Sequence, residues 1–418
     1  MREFLLSAVL LVMLPVAASS QQQAAQLRPA GQEEPRLVYS VSGSVCDART
    51  GRPLESVHVS LPDRSYATVT NPEGDFVIKS DHPIRVILCS HLGYRTIRVS
   101  PDGDGSVMVQ MIPESTLLDE SFVISGEPKG IVKAAISRIP DNYTDTTEML
   151  GCFYRETLSK RQRYTYISEA VARIYKTSYL ENTARDRVAL DKSRVLVSQR
   201  KGDTLSVKIQ GGPTQAIALD VVKNPRILFG EEELNQYEFE LDTPAYINGR
   251  LHFVITMTPG TVMSEDALYY GTLYIDTETL AFRRIELSMD MYDQMKATRA
   301  MLVKKPLALR FTPKELSLVV TYGEKDGRSR IQYLRTTMRF NCDWRKKLLS
   351  TSYTSVNELV VTDLRERVAP ISRNEMFRTS DILDDKAEEF SDPAFWEDYN
   401  IIQPSESLEN AIDRLRKR

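Results

Sequence analysis

Histidine is the side chain best suited to acid–base or metal chemistry near neutral pH, and the chain carries 4: His58, His82, His91 and His252. None has a Glu three residues on, so a zinc-peptidase ligand pair is missing, and there is no His-Glu-x-x-His. No Ser sits in a Gly-x-Ser-x-Gly elbow, and no Gly-rich loop could cradle a phosphate. The acidic runs Glu231-Glu232-Glu233 and Asp384-Asp385 read as solvated surface rather than an acid–base pair or a calcium site. One compact polar cluster, Arg155-Glu156 after Tyr154, interrupts an apolar stretch; on a strand its ordinary role is an interstrand ion pair on the outer face. Trp344, Trp396 and the tyrosines suit core and sheet packing better than a sugar-stacking platform. No catalytic, cofactor-binding or metal-binding residue is therefore nominated. A hydrolase stays open as the alternative, with residues that meet only in the fold, such as His252 with a carboxylate and a Ser or Cys in one pocket.

The elements that would position any such group begin with a leader. Behind Met1-Arg2 an apolar run over residues 4–16 ends in Ala17-Ala18-Ser19-Ser20. Charge, apolar core and small-residue exit in that order predict a secretory signal peptide over residues 1–20, cut before Gln21; the run is too short to span a bilayer. Residues 21–40, rich in Gln, Ala and Pro, read as a linker. No Cys stands near the cut, so an acylated N-terminus is not expected. Cys46, Cys89, Cys152 and Cys342 are spread singly in a chain bound for an oxidising compartment, where Cys46 could pair with Cys89 or each could be a small buried hydrophobe. The balance of 42% hydrophobic and 27% charged residues, with a net charge of −3 and no basic stripe, argues against a nucleic-acid surface.

Residues 41–112 alternate apolar and polar positions between turn signals. Val41, Gly43 and Val45 precede Thr50-Gly51-Arg52-Pro53; Val57, Val59 and Leu61 follow; Asn71-Pro72-Glu73-Gly74 leads to Phe76 and Ile78. Further period-2 runs at Ile84 to Leu88, Tyr94 to Val99 and Val107 to Met111 bring the total to about seven short strands at sandwich spacing. Gly43, Val45, Asp47, Thr50, Gly51, Pro53, Leu54, Val57, Val59, Thr70, Gly74, Phe76, Gly93 and Tyr94 fit the pattern of the carboxypeptidase-regulatory-like domain of Bacteroidetes cell-surface proteins, which this stretch resembles; Asn71 replaces the usual Asp. The resemblance implies a seven-stranded immunoglobulin-like (prealbumin-like) β-sandwich, and it specifies fold rather than chemistry.

Residues 113–126 read as a linker strand. Leu117-Leu118-Asp119-Glu120 and Phe122-Val123-Ile124 in it resemble the stretch behind the same module in TonB-dependent outer-membrane receptors. Pro128 opens a helix that Pro140 should stop after Ile139. Strands are expected at residues 152–158, 164–175, 193–197, 205–209, 252–257, 269–276 and 282–289, with a short helix over 213–222. The stretch from Ala135 to Tyr143 followed by Gly151 to Glu156 resembles a second Bacteroidetes family of unknown function, and Phe395-Trp396-Glu397-Asp398-Tyr399-Asn400 resembles the closing motif of its short, barrel-less members. Gly271 to Thr279, returning through Phe282 and Ile285, is similar to the hairpins of periplasmic lipoprotein-carrier half-barrels. From Ser405 a helix with Leu408, Ala411, Ile412 and Leu415 on one face should pack back on the sheet with Trp396.

The fold expected is mainly β: the sandwich, then an antiparallel β-rich α+β domain over residues 127–418. The lipoprotein-carrier resemblance implies a half-barrel with an apolar concavity; another antiparallel sheet with flanking helices is the alternative. The function expected is a non-enzymatic binding or scaffold protein, periplasmic or outer-membrane associated. Its sandwich would dock a partner, and its sheet would hold an apolar ligand or an outer-membrane protein. No cofactor, no nucleic acid and, once the leader is cut, no transmembrane helix are expected.

Overall fold

A computed structural model of the chain describes residues 10–15, 37–101, 105–114, 126–198, 200, 205–260, 264–344, 350–365, 368–385, 388–389, 396 and 398–416. Most of the expected linkers and of the expected leader, and Phe395 and Glu397 of the closing motif, lie outside these residues. The first strand is β1 (Leu10–Pro15), from the apolar run near the N-terminus. The alternating runs behind it become β2 (Tyr39–Asp47), β3 (His58–Ser60), β4 (Ala67–Val69), β5 (Asp75–Ser80), β6 (Ile87–Ser90), β7 (Ile97–Val99) and β8 (Ser106–Met111). They form two sheets, β5-β2-β8 and β4-β3-β6-β7. Inward residues of both, among them Val41, Val45, Val57, Val59, Phe76, Ile78 and Val109, make one core, as a sandwich requires. Gly74 closes the turn into β5 at φ +81, and a Cβ there would stand 2.4 Å from the Val45 carbonyl oxygen.

Helix α1 (Pro128–Ser137) starts on Pro128 as expected, but Pro140 does not stop it. The break falls at Arg138, and Pro140 enters the first turn of a second short helix, α2 (Ile139–Asn142), where its missing N–H is not needed. The chain then lays down β9 (Glu148–Lys160), β10 (Arg163–Lys176), β11 (Arg187–Val197), β12 (Leu205–Gln210), α3 (Gly212–Ala218), α4 (Glu231–Leu234), β13 (Tyr237–Ile247), β14 (Arg250–Pro259), β15 (Tyr269–Asp276), β16 (Phe282–Met289), α5 (Gln294–Met301), β17 (Leu302–Lys304), β18 (Leu309–Lys325), β19 (Arg328–Trp344), β20 (Thr351–Arg365), β21 (Glu388–Glu389) and α6 (Glu406–Arg416).

Eleven strands form one open sheet in the order β13-β14-β15-β16-β18-β19-β20-β9-β10-β11-β21, antiparallel throughout except for the two-residue β21. Both faces are covered. On the inner face Cys152, Tyr154, Ala170, Ala172, Leu359 and Phe340 pack against Val132 and Ala135 of α1, Ala216 and Ile217 of α3, Phe229, and Ala297 and Met301 of α5. On the outer face Phe153, Val171, Val360 and Tyr333 meet Val69 of the sandwich and Trp396, Ile401 and Ile402 of the C-terminal segment. Beside them Ile167 and Leu196 meet Leu408, Ala411 and Ile412 of α6, which Ser405 caps by accepting from the Leu408 N–H at 3.1 Å. The fold is thus mainly β, a sandwich set on one face of an open antiparallel sheet, with no closed barrel.

Candidate functional site

Successive side chains on a strand point to opposite faces, so β9 splits the Arg155-Glu156 cluster in two. Arg155 faces outward and lies directly across from Glu169 on β10, which in turn lies directly across from Arg194 on β11. Arg155 Nε donates to Glu169 Oε1 at 2.7 Å and Arg194 Nε to Glu169 Oε2 at 2.6 Å. The interstrand ion pair expected of Arg155 therefore exists, with a second arginine added. It is buried rather than solvated, because the C-terminal segment covers it. Trp396 Nε1 donates to Glu169 Oε2 at 3.2 Å, Arg155 Nη2 donates to the Ile402 carbonyl at 2.7 Å, and the Arg194 guanidinium sits 4.9 Å from the Trp396 ring centroid. Burial alone would raise the Glu169 pKa, but Arg155 and Arg194 hold it below the usual carboxylate range. The row lines neither of the two cavities described below.

Glu156 faces inward, where it takes the Tyr154 hydroxyl at 2.9 Å and has no cation beside it. Burial pushes its carboxyl up to about 8, so it is a neutral acid at pH 7. Deeper on the same face Lys176 and Lys223 share Asp186, at 3.1 and 2.6 Å, and Lys176 also meets Asp220 at 2.9 Å. Tyr322 donates to Asp220 at 2.9 Å. Two cations and two anions balance, as buried charges must. Burial, then repulsion from Lys176, brings Lys223 down to about 8. Sequence reading found none of this quartet; its members come from β10, the turn before β11 and the segment after α3, and no local spacing links them.

His252 lies across from Asp276 between β14 and β15. Its Nδ1 donates to the Arg250 carbonyl at 2.8 Å and its Nε2 stands 3.9 Å from Asp276 Oδ2 without a hydrogen bond. Burial brings the ring down to about 4. Asp276 Oδ1 meanwhile accepts the Glu278 and Thr279 amides, each at 3.0 Å, which fixes the turn into β16. Among the described residues no Ser hydroxyl or Cys thiol is bonded to His252, and the ring lines neither cavity described below, so the hydrolase alternative gains no site here. Among the described residues no three His, Cys, Asp or Glu side chains gather as a metal site, and no helix is long and apolar enough to cross a membrane. The four cysteines are free thiols. Cys46 and Cys89, on different sheets of the sandwich, are not joined; burial pushes Cys89 up to about 12.

What the structure does offer is a strand seat. The apolar run Leu10–Pro15 is the middle strand of a three-stranded sheet, β12-β1-β17. It pairs antiparallel with β12 from Leu10↔Gln210 to Pro15↔Leu205, and parallel with β17 at Leu11↔Leu302 and Val12↔Lys304. Among the described residues, β12 makes, apart from β1, only the single bridge Gln210↔Ile382. Helix α5 lies against β1 and β17, capped by Asp293, whose carboxylate accepts the Met295 and Lys296 amides. Around it Tyr292, Met295, Val303 and Leu307 are exposed at 95%, 76%, 46% and 92%. These are four large apolar side chains within sixteen positions of sequence, all facing water.

Solved structures similar to this chain include a DUF1329 family protein from Desulfovibrio piger (9% identity, 58% of this chain and 96% of that one, TM-score 0.28). A putative outer membrane lipoprotein-sorting protein domain from Vibrio parahaemolyticus (14%, 59% and 94%, TM-score 0.25) and a LolA superfamily protein from Nitrosomonas europaea (13%, 58% and 96%, TM-score 0.21) are also similar. At these scores they carry no argument about function. No curated protein matches the chain. The seven strands, their single core and the Gly74 turn agree instead with a family-level match: residues 41–123 match the model of the CarboxypepD_reg-like domain.

Proposed function

We propose that the protein is a non-enzymatic binding protein of the cell envelope whose ligand is an extended apolar segment, taken up as the middle strand between β12 and β17. One observation carries this reading: the seat is filled here by Leu10–Pro15, part of the leader that signal peptidase would remove. Among the described residues, removal strips β12 of all its pairing but one bridge and leaves β17 without a partner strand. An unpaired edge is a template for another chain, and a strand added to it gains its affinity from main-chain bonds and its selectivity from side-chain contacts. Helix α5, which lies against β1, supplies those contacts, while the sandwich and the C-terminal segment brace the far face of the large sheet.

The test uses the chain from Gln21 onward and a synthetic peptide spanning residues 4–16. Peptide binding should slow hydrogen exchange at the β12 and β17 amides. Unchanged exchange in β12, or uptake of a fatty acid but not of the peptide, would overturn the reading.

A further inference from the structure

Between the sandwich and the large sheet runs a polar seam. Two cavities of about 40 and about 60 Å³ open along it, and both are lined by His58 and Gln332. Arg64, from the turn between β3 and β4, lines the smaller together with Glu324, Lys325, Arg330 and Asp363 of the sheet. Arg283 and Arg284 line the larger, with His91 and without any carboxylate. Five cations therefore face these cavities against two carboxylates.

Most of these cations are already satisfied. Arg330 holds Glu148 at 2.8 Å, Arg283 holds Glu324 at 2.5 Å, and Arg284 holds Glu286 at 2.5 Å. Both lining carboxylates are also spent: Glu324 takes Arg250 at 3.1 Å besides Arg283, and Asp363 takes Arg365 at 3.3 Å. Lys325 helps to lower the pKa of Asp63 through its charge. Arg64 is the exception, since among the described residues its half-buried guanidinium has neither an ion pair nor a hydrogen bond. Burial pushes its pKa down; Glu324 pulls the other way, and repulsion from Arg283, Arg330 and Arg250 adds to the burial. His58, beside it, is brought to about 4 by burial and then by Arg64, so the ring is neutral and does not compete for an anion. A planar guanidinium with five donors and no acceptor, facing a cavity with excess positive charge, calls for oxygens that carry negative charge.

We propose that this seam binds a phosphate-class oxyanion, gripped by Arg64 from the sandwich and by Lys325 from the sheet, and that the anion fastens the two units together. Such an anion supplies the charge-assisted bonds that Arg64 lacks. It could be free phosphate or the phosphate of a lipid headgroup, and the two are separable. Calorimetric titration of the chain from Gln21 onward with inorganic phosphate, at fixed ionic strength with chloride as control, should give saturable binding and a higher melting temperature. Arg64→Met should weaken binding at least about tenfold, Arg64→Lys less, and neither should change melting in chloride. If Arg64→Met does not fold, Lys325→Ala carries the same test from the other wall. Binding to phosphatidylglycerol vesicles with none to free phosphate would assign the headgroup as the source. Equal binding by parent and Arg64→Met, or none by the parent to either source, would overturn the proposal.

Discussion

Glu156 and Glu169 are both buried acids, and their neighbours drive them in opposite directions. The folded Glu156 titrates at about 8 against an ordinary 4.5, so it keeps its proton while the unfolded chain loses it. Stability from this group is therefore full below pH 4.5 and is lost as pH rises through 8. At about 1.4 kcal/mol per unit the ceiling is roughly 5 kcal/mol. Glu156→Gln should raise the urea midpoint at pH 9 and leave it nearly unchanged at pH 4.5; an equal effect at both would show that another group titrates. Glu169→Gln does the reverse kind of damage, leaving two buried arginines short of their anion at a cost of roughly 3–5 kcal/mol. Glu181→Gln, in the exposed pair with Arg185, is the control and should cost under about 0.5 kcal/mol in the same denaturation series. The Arg155–Glu169 pair was partly legible: once β9 and β10 are taken as a hairpin about residue 162, position 155 falls opposite 169. The turn itself hid the signal, since Arg161 and Gln162 take the left-handed conformation that Gly or Asn normally advertises.

At the level of elements the sandwich strands were legible because each carries one buried and one wet face, and β15 and β16 could be read to the residue. Strands β18, β19 and β20 were not anticipated. They run 17, 17 and 15 residues, beyond ordinary strand lengths, and β18 contains Pro313 beside a bulge that resets its register. Gly74 repays its early reading. Gly74→Val puts a β-branched side chain at φ +81 and against the Val45 carbonyl, so it should lower the melting temperature of the sandwich by several degrees, the effect of roughly 1–3 kcal/mol. An unchanged melt would show that the turn rearranges freely. The C-terminal segment packs back on the sheet as expected, with Trp396 edge-on to Phe153 at 5.7 Å. Trp396→Ala should cost roughly 3–5 kcal/mol and expose residues 396–416 to protease while the sandwich stays resistant. The same resistant fragments from variant and parent would mean that the segment is held by α6 alone.

For the whole molecule, pH couples three distant groups. His58 and His252 both titrate at about 4 when folded against 6.5 unfolded, so the stability they carry is present above pH 6.5 and is lost as pH falls through 4. Between pH 4.5 and 6.5 two histidines gain while one Glu156 loses, and between 6.5 and 8 only the loss remains, before Lys223 titrates. On these three groups the stability below pH 8 should peak at about pH 6.5, readable as the pH of the highest urea midpoint in that range; a midpoint still rising from pH 6.5 to 8 would contradict the burial of Glu156. The position of the sandwich on the sheet could not be read from sequence, because it rests on contacts such as Thr68 with Ile401 and Asn71 with Pro404, each 333 positions apart. That separation has a consequence for biogenesis. Trp396 follows Glu169 by 227 positions, and chains are made N-terminus first. A chain that lacks residues 396–416 therefore leaves the Glu169 ion row, with Phe153, Val171 and Val360 beside it, without the cover those residues supply, and that face is then open to proteases.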